Sequence, residues 1–263
     1  MTWPRRARQS SANEKPPVAD AGQAMAEGAG KSGGAAAGGV RRVLIHSGGA
    51  LNARVYRCEA RDGARWIEKD FTGCSWLARN TVGRFLVWRE CWILRRLQGT
   101  GVVPGGVAKI SPYALREDFC PGFTLRDSCC GVHGENEASA EKAGGLPVEM
   151  LTSPVPAAFF DALERGIREA HRRGFAHLDL HNERNVIVGP EWRPVILDWQ
   201  SALPLARVPL LGRLLAGIDL AGVGKFRERF RPGELDGAGR ARMRRIYFWR
   251  RHFWFPRVRA GGH

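Results

Sequence analysis

From His177 to Val188 the chain reads H-L-D-L-H-N-E-R-N-V-I-V, and from Ile196 to Gln200 it reads I-L-D-W-Q. Two apolar triplets, Val186-Ile187-Val188 and Val195-Ile196-Leu197, flank Gly189-Pro190. Apolar runs separated by a Gly-Pro turn predict a β-hairpin. A hairpin returns the end of its second strand to the start of its first, so Asn185 and Asp198 come to one end, with Asp179 just upstream. Whatever fold this chain adopts must present those three oxygen-bearing side chains together.

Each has an ordinary reading when taken alone. His177 can be a packed core histidine, Asp179 a turn or capping residue, Asp198 a loop carboxylate. Taken jointly, they suit phosphoryl transfer, which needs charge neutralisation and in-line positioning more than covalent chemistry. In that chemistry Asp179 accepts the proton of the acceptor hydroxyl, while Asn185 and Asp198 hold a divalent metal against the nucleotide phosphates. A cation for the phosphates is then required elsewhere in the chain.

Residues 1–39 combine Arg, Ser and Pro with an Ala/Gly tract and are expected to be a disordered tail, lacking the apolar surface that offsets ordering entropy. Gly30-Lys31-Ser32 ends like a phosphate-binding loop, but Met25 stands where the first Gly is needed. From Val40 onward strand patterns begin: Val43–Ile45, a small-residue turn at Ser47-Gly48-Gly49, Val55–Glu59, the hairpin signal Asp62-Gly63, and Ala64–Phe71. Lys69 shares a strand face with apolar Ile67. A lone strand Lys is usually a solvated one. A helix over Val82–Leu97 follows, however, with Phe85, Leu86, Trp88, Trp92, Ile93 and Leu97 at helical spacing and Glu90 among them. A Glu so placed can pair with Lys69 and hold it toward phosphates; its bland alternative is a partner for Arg89 or Arg95.

A turn-rich connection over Val102–Ile110 leads to a strand at Tyr113–Phe119 that stops at Pro121-Gly122. In a two-lobed nucleotide enzyme the chain would cross between lobes here, with backbone groups near Glu117 to Cys120 facing the adenine edge; the residues themselves support the strand and its stop. Residues 127–150 read as a mobile insert, in which Cys129, Cys130 and His133 lack metal-ligand spacing. Ser153-Pro154 reads as a helix start and Gly174 as its stop, with Phe159, Phe160, Leu163, Ile167 and Ala170 as a core stripe. A helix carrying Asp219 follows, and this Asp either braces the backbone near His177 or is solvated.

The 263 residues carry 41 Lys+Arg against 26 Asp+Glu, a formal charge of +15, which calls for an anionic partner. Arg242, Arg244, Arg245, Arg250 and Arg251 alternate with Tyr247, Phe248, Trp249, Phe253 and Trp254 near the C-terminus. That mixture fits either an anionic headgroup interface or a packed helix, and no nucleic-acid partner is expected because no nucleic-acid module accompanies the charge. Six cysteines without a C-x-x-C pair suit reduced thiols, and no apolar run is long enough to span a bilayer. A cytoplasmic location, peripheral at the inner membrane face, is therefore expected.

Glu68-Lys69-Asp70-Phe71, Trp76-Leu77-Ala78-Arg79, Gly83-Arg84-Phe85-Leu86 with Arg89-Glu90, Leu97 through Val103-Pro104, Pro121-Gly122, Ala176–Leu180, Asn185–Val188 and Leu197-Asp198-Trp199-Gln200 together resemble the bacterial lipopolysaccharide kinase family. These are Kdo/heptose sugar kinases of the protein-kinase-like fold, and the resemblance runs from Val43 to about Leu235. It implies a two-lobed α+β fold, with residues 40–118 as the N-lobe, 119–239 as the C-lobe and 240–263 as a basic aromatic segment. It implies ATP and Mg²⁺ as co-reactants and a glycolipid or sugar acceptor. It implies Asp179, Lys69 and Glu90 as the catalytic set and Asn185 and Asp198 as metal ligands, and the expected nucleotide contacts are Gly48, Gly49, Val55, Ile67, Lys69, Glu117, Phe119 and Ile187. Five residues, Leu180–Arg184, separate Asp179 from Asn185 where the general kinase pattern has four, so Asn182 is a second candidate ligand. Trp199-Gln200 replaces Phe-Gly, which favours a fixed metal site, and no A-P-E segment follows. A Ser/Thr protein kinase would be distinguished by peptide phosphorylation, and a pseudokinase scaffold on nucleotide or membrane by binding without turnover.

Overall fold

The computed structural model describes residues 39–130, 146–205 and 209–253, all within one compact unit of the chain. The expected tail at 1–39 and most of the 127–150 insert lie outside the described residues, as do residues 254–263. The architecture is α+β. Strands β1 (Arg41–His46), β2 (Arg54–Glu59), β3 (Arg65–Asp70), β4 (Ala108–Ser111) and β5 (Ala114–Asp118) form an antiparallel sheet in the order β1-β2-β3-β5-β4. Asp62-Gly63 turns β2 into β3 with Gly63 at positive φ, where a side chain would be strained. Strand β4 lies inside the stretch expected to be a turn-rich connection. Pro104-Gly105-Gly106 hides it in sequence, and its short length with Lys109 and exposed Ile110 is that of a sheet edge.

A helical run follows β3 and starts earlier than its apolar spacing suggests. Ser75 accepts from the Ala78 N–H and caps α1 (Trp76–Ala78); a π-turn over Arg79–Gly83 leads into α2 (Arg84–Leu97). The π-turn inserts a residue into the 3.6 period, so Trp76 and Leu77 fall out of phase with the apolar stripe of α2. Two features favour it. The Asn80 and Thr81 side chains bond back to the carbonyls of Trp76 and Leu77, and Gly83 sits so close to Phe71 that a Cβ would meet the Phe71 Cβ at 2.9 Å.

Helix α2 serves two apolar clusters. Val87 and Cys91 pack with Ala53, Phe71 and Leu115 beneath the sheet, whereas Ile93, Leu94 and Leu97 join the larger cluster around Phe159, Phe160, Trp199 and Phe226. Helices α3 (Leu125–Cys130) and α4 (Val148–Thr152) occupy the two ends of the stretch read as a mobile insert. Helix α5 (Ala157–Arg172) buries Phe159, Phe160, Leu163, Ile167 and Ala170, each side chain contributing about 1.5–3 kcal/mol if large and apolar. It begins three residues later than Ser153-Pro154 would allow. Ser153 instead ends α4 in an extended conformation, and Val155 precedes Pro156, a position biased away from helix; Pro156 becomes the cap.

Strands β6 (Phe123–Thr124), β8 (Val186–Val188) and β9 (Pro194–Ile196) form one small sheet, and β7 (Phe175–Ala176) pairs with β10 (Leu203–Pro204) in another. Helix α6 (Pro209–Phe230) packs on α5, and α7 (Gly237–Phe253) packs on α6, with Ile246 at Gly217 and Met243 at Gly224. No helix among the described residues is long and apolar enough to cross a membrane.

Candidate functional site

Register aims one face of the sheet at the site. Val55 is opposite Lys69 and Ile67 is opposite Glu117, so Val55, Ile67, Lys69 and Glu117 project to the same side. Lys69 Nζ lies 2.5 Å from Glu90 Oε1 and 3.3 Å from Glu117 Oε1, and all three side chains are buried. Burial alone would lower the Lys69 pKa; the carboxylates of Glu117, Glu90 and Asp198 outweigh it and hold the ammonium charged well above its usual range. Glu117 is pushed above the ordinary carboxylate range, chiefly by burial, with Lys69 opposing and Glu90 adding to the rise. The second oxygen of Glu90 accepts from Gln200 Nε2 at 3.1 Å, and the neighbouring Arg89 donates to the carbonyls of Gln200 and Ala202. Helix α2 is thereby fastened to the segment that follows Asp198.

The opposite wall is built on Asp219. Its buried carboxylate accepts from the backbone N–H groups of His177 and Leu178, each at 2.7 Å, and lies 2.9 Å from His171 Nε2. This clamp holds Leu178 at φ +67°, a conformation that branched side chains avoid. His177 stacks edge-on against Trp199 at 4.8 Å, and its Nε2 lies 2.9 Å from the Leu197 carbonyl. The Trp199 indole donates to the Ile196 carbonyl at 3.0 Å.

Asp179 follows directly. Asn182 N–H bonds the Asp179 carbonyl and Asn185 N–H bonds the Asn182 carbonyl, two successive turns that take up the additional residue between Asp179 and Asn185. Asn185 Nδ2 then donates to Asp179 Oδ2 at 2.8 Å and to its carbonyl at 3.1 Å. With the nitrogen committed there, Oδ1 is the end directed elsewhere, 3.4 Å from Asn182 Nδ2. The Asn182 oxygen is engaged by the Arg184 N–H. The Leu197 N–H donates to the Asn185 carbonyl at 2.8 Å, which sets Asp198 beside Asn185 at φ +57°. Glu183 anchors this turn from behind through Arg229 at 2.6 Å and Lys225 at 3.5 Å.

These walls enclose a cavity of about 580 Å³, within the range of small-molecule sites. The sheet contributes Val55, Ile67, Lys69, Glu117 and Phe119; the β8–β9 hairpin contributes Asn185, Ile187 and Asp198. Asp179 stands behind Asn185 and not on the cavity lining. Nor do Gly48 and Gly49 reach it: Asn52 and Ala53 line the cavity from that turn, and Gly49 borders a separate hollow of about 330 Å³. The turn closes on itself through a Gly49–Asn52 bridge, and Gly48, at φ +71°, approaches the Asn52 and Ala53 carbonyls too closely for a Cβ.

Among the described residues no three His, Cys, Asp or Glu side chains form a metal cluster. Mg²⁺ does not need one, because it binds through one or two carboxylates plus phosphate oxygens. The hard oxygen donors of Asp198 and Asn185, facing the same cavity as Lys69, fit that ion.

Three features escaped sequence reasoning. Glu117 was expected for its backbone, yet its carboxylate is the second partner of Lys69; strand alternation, which puts it on the face of buried Leu115, was the available signal. Gln200 and Arg89 act across the fold, and no local pattern marks them. No family model matches the chain, and no curated protein matches it.

Proposed function

We propose that the chain is an ATP-dependent phosphotransferase of the two-lobed protein-kinase-like fold, moving the γ-phosphate to a hydroxyl of a lipopolysaccharide-core sugar. The observation that carries this reading is a single cavity lined by Lys69, itself paired with buried Glu90, on one wall and by Asn185 and Asp198 on the other, with Asp179 hydrogen-bonded to Asn185. The separation of apolar packing into a cluster beneath the sheet and a larger helical one supports two lobes.

In this reading Lys69 meets the nucleotide phosphates, oriented by Glu90, which Gln200 holds in turn. Val55, Ile67 and Ile187 offer apolar surface to the base. Mg²⁺, when bound, neutralises phosphate charge, and Asn185 Oδ1 with the Asp198 carboxylate would hold it. Asp179, steadied by the Asn185 amide, accepts the proton of the acceptor hydroxyl.

Titration calorimetry with ATP tests the cavity's occupant. Binding is expected with Mg²⁺, is expected to weaken strongly on chelation, and is expected to fall at least about tenfold in Asp198→Asn, whose side chain keeps the left-handed backbone but loses the charge. Equal affinity with and without Mg²⁺ would contradict the assignment of Asp198.

A further inference from the structure

The helical run from Trp76 to Leu97 has an outer face at odds with a solvated surface. Trp76 is 69% exposed, Leu77 64%, Phe85 54%, Trp88 53% and Val82 38%. The rings are ordered: Phe85 and Trp88 lie 6.0 Å apart, Trp88 stacks on Trp92 at 6.2 Å, and Trp92 meets Phe175 edge-on at 5.1 Å. A ladder of aromatic side chains thus leads from the core to open solvent. Phe85, Trp88 and half-buried Trp92 form an exposed apolar patch, and such patches mark interaction sites.

Charge identifies the partner. Between Trp76 and Leu97 the sequence holds five arginines, 79, 84, 89, 95 and 96, and one acid, Glu90, which is sealed against Lys69. Arg89 turns inward to the carbonyls of Gln200 and Ala202 and Arg79 donates to the Thr72 carbonyl, while Arg84, Arg95 and Arg96 are exposed, with no acid of this run to offset them. The neighbouring chain repeats the mixture. Pro204 of β10 is opposite Phe175, on which Trp92 rides, and beyond it Leu210, Leu211 and Leu214 are exposed together with Arg213.

We propose that this face docks on an anionic lipid bilayer, with Trp76, Leu77, Phe85 and Trp88 entering the boundary between headgroups and acyl chains while Arg84, Arg95 and Arg96 meet lipid phosphates. Tryptophan beside arginine on a convex amphipathic helix is the composition that partitions into that boundary. A second copy of the chain fits poorly, since a two-fold contact would set the same arginines against each other. Nucleic acid would use the rings but gains nothing from Leu77 and Val82. The site differs from the C-terminal segment suggested by sequence, whose helix α7 directs Ile246 and Met243 onto α6. It does not depend on the phosphotransferase reading.

Sedimentation of the full chain with phosphatidylcholine vesicles, with and without phosphatidylglycerol, tests the proposal. The chain is expected to bind only vesicles containing phosphatidylglycerol, less tightly as salt rises. Arg84→Glu/Arg95→Glu is expected to lose at least about tenfold in affinity, as about 1 kcal/mol per basic residue near the surface implies, and separately the Trp76→Ser/Leu77→Ser/Phe85→Ser variant is expected to lose at least about tenfold through lost apolar burial. Arg244→Glu/Arg245→Glu on α7 is expected to change it less than about twofold. The all-polar charge variant keeps the test open if the triple variant does not fold. Absence of vesicle binding, binding unaffected by the face variants, or loss confined to the α7 variant would overturn the proposal. So would a dimer, or single-stranded DNA binding, abolished by the same face variants while vesicle binding persists.

Discussion

Lys69 is a cation enclosed by two carboxylates, and that inequality governs how the site responds to substitution. Removing its charge leaves Glu90 and Glu117 buried without a counter-ion, which typically costs about 3–5 kcal/mol. Lys69→Met should therefore lower stability as well as the proposed phosphotransfer. The pH dependence has a definite sign. Glu117 titrates above its ordinary value near 4.5, so over that window the folded state binds more protons than the unfolded one, and stability falls as pH rises. Without Lys69 the Glu117 pKa rises further and the window widens. Urea denaturation at about pH 5 and about pH 8 should find the Lys69→Met penalty larger at the higher pH. A penalty independent of pH would mean that Lys69 does not act on the ionisation of Glu117.

At the scale of elements, the site is two hairpins and a helix tied together by buried polar groups. Asp219 is the central tie, since α6 reaches through it to the backbone of His177 and Leu178 and to His171. Asp219→Ala leaves these donors buried and unpaired at about 1–3 kcal/mol each, so a loss of at least about 3 kcal/mol is expected. At about 2–4 °C per kcal/mol for a chain of this size, the melting temperature should fall by about 6–12 °C. Asp219→Asn, with one acceptor oxygen, should fall between, and an unchanged melting temperature for the alanine variant would refute the bracing role. Much of this layer was legible in sequence. Alternation marked β2, β3 and β5, the Phe159–Ala170 stripe marked α5, and the two apolar triplets marked the β8–β9 hairpin. What stayed hidden was phase and partnership. The π-turn shifts the helical period, Val155-Pro156 delays a helix that Ser153 was expected to start, and the Gln200 side chain meets Glu90, 110 positions away.

At the scale of the molecule, the +15 charge divides into two uses. Among the described residues Lys69 is the buried cation and lines the cavity, whereas Arg84, Arg95 and Arg96 are exposed on the helical run that carries Glu90. The helix that orients the cavity's lysine is thus also the one that presents tryptophan and arginine outward. The proposed glycolipid acceptor and the proposed bilayer-docking face would each place the substrate at a membrane surface. The most direct test is transfer of label from γ-labelled ATP, with Mg²⁺, to a lipid A–core glycolipid bearing Kdo and heptose. The expected result is label on the glycolipid with the natural chain and a rate lower by about 10²–10⁴-fold in Asp179→Asn, which keeps the shape of the turn but not the base. Equal transfer by Asp179→Asn, or no transfer by the natural chain despite Mg²⁺-dependent ATP binding, would contradict it.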